Sequence, residues 1–104
     1  MSKRFEQIVE DVRRERARQD ELWGEQNHPD GTGSVWQKQM LADVRKDNAY
    51  ALQDNKMTWA LILLEEVYEV MAEWDPARIE EELDEVIAVA AAWRECLMRK
   101  KESK

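Results

Sequence analysis

The chain has 104 residues, 43% of them hydrophobic and 38% charged, with a formal net charge of −7. This length fits a single domain over residues 1–104, and the composition suits neither a disordered chain nor a membrane protein. The negative charge argues against a nucleic-acid polymer as partner, because phosphate backbones require clustered Lys and Arg. The single cysteine, Cys96, excludes an intrachain disulfide, and no signal peptide or membrane span is recognisable. A cytoplasmic location is therefore expected.

The first half of the chain predicts two helices joined by a loop. The first helix should run from about Ser2 to Trp23, because apolar residues recur there at spacings of three and four. Glycines and a proline predict a loop over Gly24–Gly33. Ser34 is expected to cap a second helix, which should break or kink near Asp54–Lys56.

The second half of the chain predicts two further helices around an Asp-Pro junction. Thr58 is a suitable N-cap for a helix from Trp59 to about Trp74. Asp75-Pro76 should end that helix and start the next, which runs from about Ala77 to Met98, with a frayed tail over Arg99–Lys104. We therefore expect an all-α protein, an antiparallel bundle of about four helices. Five tryptophans and five methionines exceed the needs of one small core and indicate a homo-oligomer.

The third predicted helix separates apolar from acidic residues. Its apolar arc contains Leu63, Leu64, Val67, Val70, Met71 and Trp74. The opposite arc contains Glu65, Glu66, Glu69 and Glu73, together with Ile62. Taken alone, this acidic arc is typical of a solvated helix face.

The fourth predicted helix is different, because two of its acids lie beside residues that look buried. Its expected core stripe is Ile79, Leu83, Val86, Ile87 and Ala90. Glu82 and Glu85 share a flank with Val89, Ala92, Trp93 and Cys96, whereas Glu81 and Asp84 lie on a more exposed row. Buried, unpaired carboxylates are strongly unfavourable, and a divalent cation with oxygen ligands would neutralise them.

An antiparallel pair of such helices could bring its carboxylates into one cluster. The cluster could hold Mg²⁺, with Mn²⁺ as a substitute, against the phosphates of a nucleoside triphosphate. Attack by an activated water would then cleave the α–β phosphoanhydride bond.

Two motifs in this region resemble those of the MazG-like nucleoside triphosphate pyrophosphohydrolases. Glu65-Glu66-Val67-Tyr68-Glu69 resembles the E-E-x-x-E motif of that family, and Glu81–Val86 resembles its E-x-x-D motif. The resemblance covers residues 57–97 and extends loosely to Arg18-Gln19 and to the Trp23–His28 region. It implies Mg²⁺-dependent hydrolysis of (deoxy)nucleoside triphosphates to monophosphate and pyrophosphate, a housecleaning role, and an all-α homodimer or homotetramer.

The resemblance also implies roles for particular residues. Glu66 and Glu69 become metal ligands, and Glu65 becomes either a further ligand or a water-orienting base. The second motif has two registers, Glu82 with Glu85 or Glu81 with Asp84. The helix-face pattern favours Glu82 and Glu85, although Glu85 then stands where the family has aspartate.

Substrate-binding residues are less well defined by the sequence. Trp23, Gln26 and His28 could belong to a loop that closes over the nucleotide, although Trp23 could equally anchor a core and His28 could be a surface residue. Lys56 is selected as a phosphate contact from a group of basic residues that also includes Lys38, Arg45 and Lys46.

Two other functions remain compatible with the sequence. One is a non-catalytic helical, oligomeric adaptor whose acidic face binds a basic partner. The other is a related all-α pyrophosphohydrolase that acts on a different nucleotide, such as dUTP or a phosphoribosyl intermediate.

Overall fold

A computed structural model describes residues 2–103, which form four α-helices without any β-strand. The helices are α1 (Lys3–Trp23), α2 (Val35–Gln53), α3 (Trp59–Met71) and α4 (Pro76–Glu102). The predicted all-α class and number of helices are therefore confirmed. No helix within residues 2–103 combines the length and the apolar character needed to cross a membrane.

Polar side chains fix the start of each helix, at or near the predicted positions. Ser34 Oγ accepts a hydrogen bond from the Gln37 N–H, and Gln37 Oε1 accepts one from the Ser34 N–H, which completes a capping box. Thr58 accepts from the Leu61 N–H at the start of α3. Asp75 Oδ1 accepts from the Ala77 N–H at the start of α4. These bonds satisfy backbone donors that have no partner inside a helix.

Two predicted helix ends are wrong, and local contacts explain both. Helix α3 ends at Met71 rather than near Trp74, because the Glu73 carboxylate accepts from the Trp74 and Asp75 N–H groups and stabilises a turn. Helix α4 continues to Glu102, through most of the tail that was expected to fray. Arg4 forms an ion pair with Glu102 at 2.6 Å. The basic residues of the last turn also interact favourably with the helix dipole.

The chain divides into two compact units. One combines the described residues up to Asp30 with those from Ala91 onward. Within it, Ser2 donates to Glu95 at 3.0 Å and Arg94 pairs with Asp11 at 3.1 Å. The other unit is Gly31–Ala90 and contains both predicted acidic motifs.

The predicted apolar stripes are only partly buried. Ile79 is buried as expected, but Leu83 and Ile87 are 45% and 62% exposed. On the preceding segment, Leu64 and Trp74 are 41% and 67% exposed. The prediction that Leu83 and Ile87 lie in the core of the chain is therefore wrong, and the apolar arc of α3 is also partly exposed. Helical periodicity identifies an apolar face but does not say which surface, if any, covers it.

The loop before α2 is held against the end of α3. The Gly33 N–H donates to the Met71 carbonyl at 2.9 Å, and Gln37 Nε2 donates to the Gly31 carbonyl at 2.9 Å. Gly33 has a φ of 85°, and a Cβ added there would lie 2.9 Å from Cδ2 of Trp74. The absence of a side chain at Gly33 therefore allows the Trp74 ring to lie directly on the loop.

This contact makes Gly33 less replaceable than Gly31, which has a similar φ of 70° but where an added Cβ would meet no atom within 4 Å. Both Gly→Ala variants should lose about 1–2 kcal/mol of unfolding free energy through left-handed backbone strain. Gly33→Ala should lose roughly a further 1–3 kcal/mol because Trp74 has to move. Urea denaturation measures the difference. Equal losses in the two variants would show that the close approach of Trp74 does not matter for stability.

Candidate metal centre

Helices α3 and α4 bring three carboxylates together. Glu66 and Glu69 lie three positions apart on α3 and therefore share a face. Glu85 approaches them from α4, so that one carboxylate oxygen from each residue lies within 4.8 Å of the other two. We refer to Glu66, Glu69 and Glu85 as the carboxylate triad.

The pKa of Glu66 reports its burial and the negative charge of the other two triad members. Burial, followed by the charges of Glu69 and Glu85, raises the pKa of Glu66 from 4.5 to about 7. Glu66 Oε2 is itself buried and accepts no hydrogen bond from the described residues. Glu66 is therefore the triad member that a bound cation would stabilise most.

Glu82 lies outside the triad in a second acidic environment. Burial, and then the neighbouring Glu73, raise the pKa of Glu82, whereas Arg78 at 3.8 Å opposes this shift. Glu82 Oε2 is also buried without a donor. Glu81 and Asp84 are exposed, as is Glu85 itself. Of the two registers of the second motif, only the one with Glu82 and Glu85 places a residue in the triad.

Glu65 does not belong to the triad, and a buried asparagine holds it instead. Asn48 Nδ2 donates to Glu65 Oε1 at 2.9 Å and to the Leu61 carbonyl at 3.0 Å. Sequence analysis missed Asn48. The sequence signal for a buried Asn48 is its position four residues after Val44, which places both on one face of α2. Both residues are buried.

A cleft of about 390 Å³ lies beside the carboxylates, between α2 and α3. This volume is at the lower end of the range of small-molecule sites. The guanidinium group of Arg45, at the edge of the cleft, lies 3.5 Å from Glu69. The lining residues are Arg45, Asn48, Ala49, Leu52, Met57, Ile62, Glu65 and Glu66.

None of the predicted substrate-binding residues is among those that line this cleft. Trp23 and Gln26 line a depression at the C-terminal end of α1, in the other unit, and His28 is exposed in the loop that follows. Lys56 is exposed in the turn after α2, where its N–H donates to the Ala51 carbonyl. The basic side chain that lines the cleft is Arg45, which sequence analysis had considered but not selected.

The triad fits the requirements of a divalent cation. Mg²⁺ prefers carboxylate oxygens and octahedral geometry, in which opposite ligands are about 4.2 Å apart. Three ligands on one octahedron include neighbouring pairs about 3 Å apart, so the three oxygens, which lie within 4.8 Å of one another, would have to move inward on binding. The buried, unpaired oxygens of Glu66 and Glu82 would also gain from a nearby positive charge.

The chain matches no protein-family model, and no curated protein or solved structure is significantly similar to it. The functional argument therefore depends on the motifs and on the geometry of the triad.

The raised pKa of Glu66 predicts a specific pH dependence for the metal-free protein. A carboxyl whose pKa is higher in the folded state favours folding when protonated, so its stabilising contribution is complete below pH 4.5 and is lost as pH rises through about 7. The unfolding free energy of the wild type should therefore fall across this window relative to that of Glu66→Gln. Urea denaturation in a chelating buffer measures both proteins. A constant difference between them would contradict the assigned shift.

Proposed function

We propose that this protein is a Mg²⁺-dependent nucleoside triphosphate pyrophosphohydrolase that acts in nucleotide-pool housecleaning. The observation that carries the proposal is the carboxylate triad, in which Glu66 Oε2 is buried beside two other acids without a hydrogen-bond donor. Convergence of like charges is unfavourable unless a cation neutralises them. The resemblance of the two motifs to the MazG-like family gives the reaction class.

Glu66, Glu69 and Glu85 would hold the metal. The charge of Glu69 contributes to the raised pKa of Glu82, so Glu82 lies near enough to assist. The metal, when bound, supplies positive charge that neutralises the phosphates of the substrate. Glu85, which stands where the family has aspartate, is a member of the triad with its longer side chain.

Glu65 is assigned as the base that orients water. It lines the cleft outside the triad, and Asn48 holds one of its oxygens. A base that is fixed by a third group can keep its other oxygen towards the water that it deprotonates. The water oxygen then bonds to the α-phosphorus, the α–β anhydride bond breaks, and pyrophosphate leaves as Glu65 takes the proton.

Arg45 is the best candidate for contacting the phosphates. It lines the cleft, and its side chain is more than half exposed, so it can move from Glu69 to a more negative ligand. Arginine suits this role because its planar guanidinium group binds phosphate oxygens in pairs.

A homodimer or homotetramer is part of the proposal. Only four hydrophobic side chains are buried within the described residues, and large apolar residues such as Ile87, Leu52 and Trp36 are exposed. Exposed apolar surface on this scale favours association with another copy of the chain. The absence of disulfide chemistry and the acidic composition are consistent with a cytoplasmic enzyme.

Pyrophosphate release from a panel of common (d)NTPs tests the proposal. With Mg²⁺, the wild type should release pyrophosphate with the matching monophosphate, and Glu69→Gln and Glu85→Gln should be slower by ~10²-fold or more. Asp84→Asn is the matched control, because Asp84 is exposed one residue before Glu85, and it should keep wild-type activity.

The pattern of failures separates the alternatives. Loss of activity in Asp84→Asn but not in Glu85→Gln would select the other register of the second motif. No hydrolysis and no metal binding by the wild type would favour the non-catalytic adaptor.

A further inference from the structure

The carboxylate of Glu73 ties the end of α3 to the start of α4. Its Oε1 accepts hydrogen bonds from the Trp74 and Asp75 N–H groups, at 3.0 and 3.2 Å. Its Oε2 accepts one from Nε of Arg78, in the first turn of α4, at 3.1 Å. Three donors therefore hold one carboxylate in the connection between the two helices that supply the triad.

The guanidinium group of Arg78 also approaches Glu82, one turn further along α4. Nη2 of Arg78 lies 3.8 Å from Glu82 Oε1. The side chains of Glu73 and Glu82 are only 20% and 14% exposed, whereas that of Arg78 is 64% exposed. Among residues 2–103, no other basic side chain pairs with either carboxylate. Arg78 therefore spans two sheltered carboxylates from the solvent side.

Without Arg78, these two carboxylates would repel each other. After burial, the charge of Glu73 is the strongest effect that raises the pKa of Glu82, so the two groups already interact. Repulsion between like charges grows as water is excluded from them. A guanidinium group suits the position between them, because its planar fork can donate to two acceptors at once.

A displacement of Glu82 would reach the metal centre through α4. Glu82 and Glu85 are three positions apart on this helix and therefore share a face. Glu85 is the triad member that α4 supplies. Because a metal site needs its ligands within about 0.5 Å of the productive geometry, a small shift at the start of α4 would weaken cation binding.

We propose that Arg78 is a positioning residue for the metal centre. By bridging Glu73 and Glu82, its guanidinium group keeps the α4 ligand of the triad beside the two α3 ligands. This inference rests on the proposed function, because it takes the triad as the metal site. It goes further, since Arg78 lies outside both motifs and is not a triad member.

Positioning and simple charge predict opposite effects of Arg78 on metal affinity. Arg78 carries a positive charge near an acidic site, so its Coulomb effect alone opposes the binding of a cation. Removal of that charge would then leave the affinity unchanged or raise it. If Arg78 positions Glu85, its removal lowers the affinity instead.

Titration with Mn²⁺ followed by electron paramagnetic resonance measures the direction of the effect. Arg78→Gln should weaken Mn²⁺ binding about tenfold, as is usual when a group that orients a metal ligand is lost. Because Arg78 is mostly exposed, the melting temperature without metal should fall by at most about 5 °C. Arg13→Gln is the matched control, since it removes an exposed arginine whose ion pair with Glu10 lies in the other unit, and it should bind Mn²⁺ as the wild type does.

A second substitution tests the repulsion itself. Glu73→Gln keeps an oxygen that can accept from the Trp74 and Asp75 N–H groups, but it removes the negative charge beside Glu82. Combined with Arg78→Gln, it should restore the Mn²⁺ affinity to within about twofold of the wild-type value. A loss of affinity caused by general destabilisation would not be reversed in this way.

The outcomes separate this inference from the proposed function. Mn²⁺ affinity in Arg78→Gln that equals or exceeds that of the wild type would overturn the positioning role alone. A double variant that binds as weakly as Arg78→Gln would do the same. A wild type that binds no Mn²⁺ would contradict the proposed function and the positioning role together.

Discussion

Repulsion among carboxylates is the constraint on which the functional interpretation depends. Glu66, Glu69 and Glu85 come from two helices to within 4.8 Å of one another, and part of the Glu66 carboxylate is shielded from water. Burial of this carboxylate disfavours its ionisation, and the charges of Glu69 and Glu85 add to the effect, so that the pKa of Glu66 rises to about 7. A divalent cation would turn this unfavourable arrangement into a binding site.

Different residues around the triad make different contacts. Asn48 connects α2 to α3 and donates a hydrogen bond to Glu65, which lies outside the triad. Arg45 reaches Glu69 from the rim of the cleft. The proposed roles of metal ligand, base and phosphate contact therefore fall on separate groups. A catalytic mechanism needs this separation, and a row of surface acids would not provide it.

The sequence predicted the helices well because their boundaries depend on local chemistry. Caps at Ser34 and Thr58 act over three or four residues and are visible in the sequence. Burial depends on distant surfaces, so Leu83 and Ile87 were wrongly placed in the core. The acids of the triad could be identified from helical spacing, whereas Asn48 and Arg45 come from a different helix, and their proximity to α3 required the fold.

Metal binding by the triad is the central claim, and titration with Mn²⁺ followed by electron paramagnetic resonance tests it most directly. The account predicts that the wild type binds Mn²⁺, that Mg²⁺ competes for the same site, and that Glu85→Gln weakens binding at least tenfold while Glu81→Gln does not. Absence of specific Mn²⁺ binding by the wild type, or equal affinity in the wild type and Glu85→Gln, would contradict it.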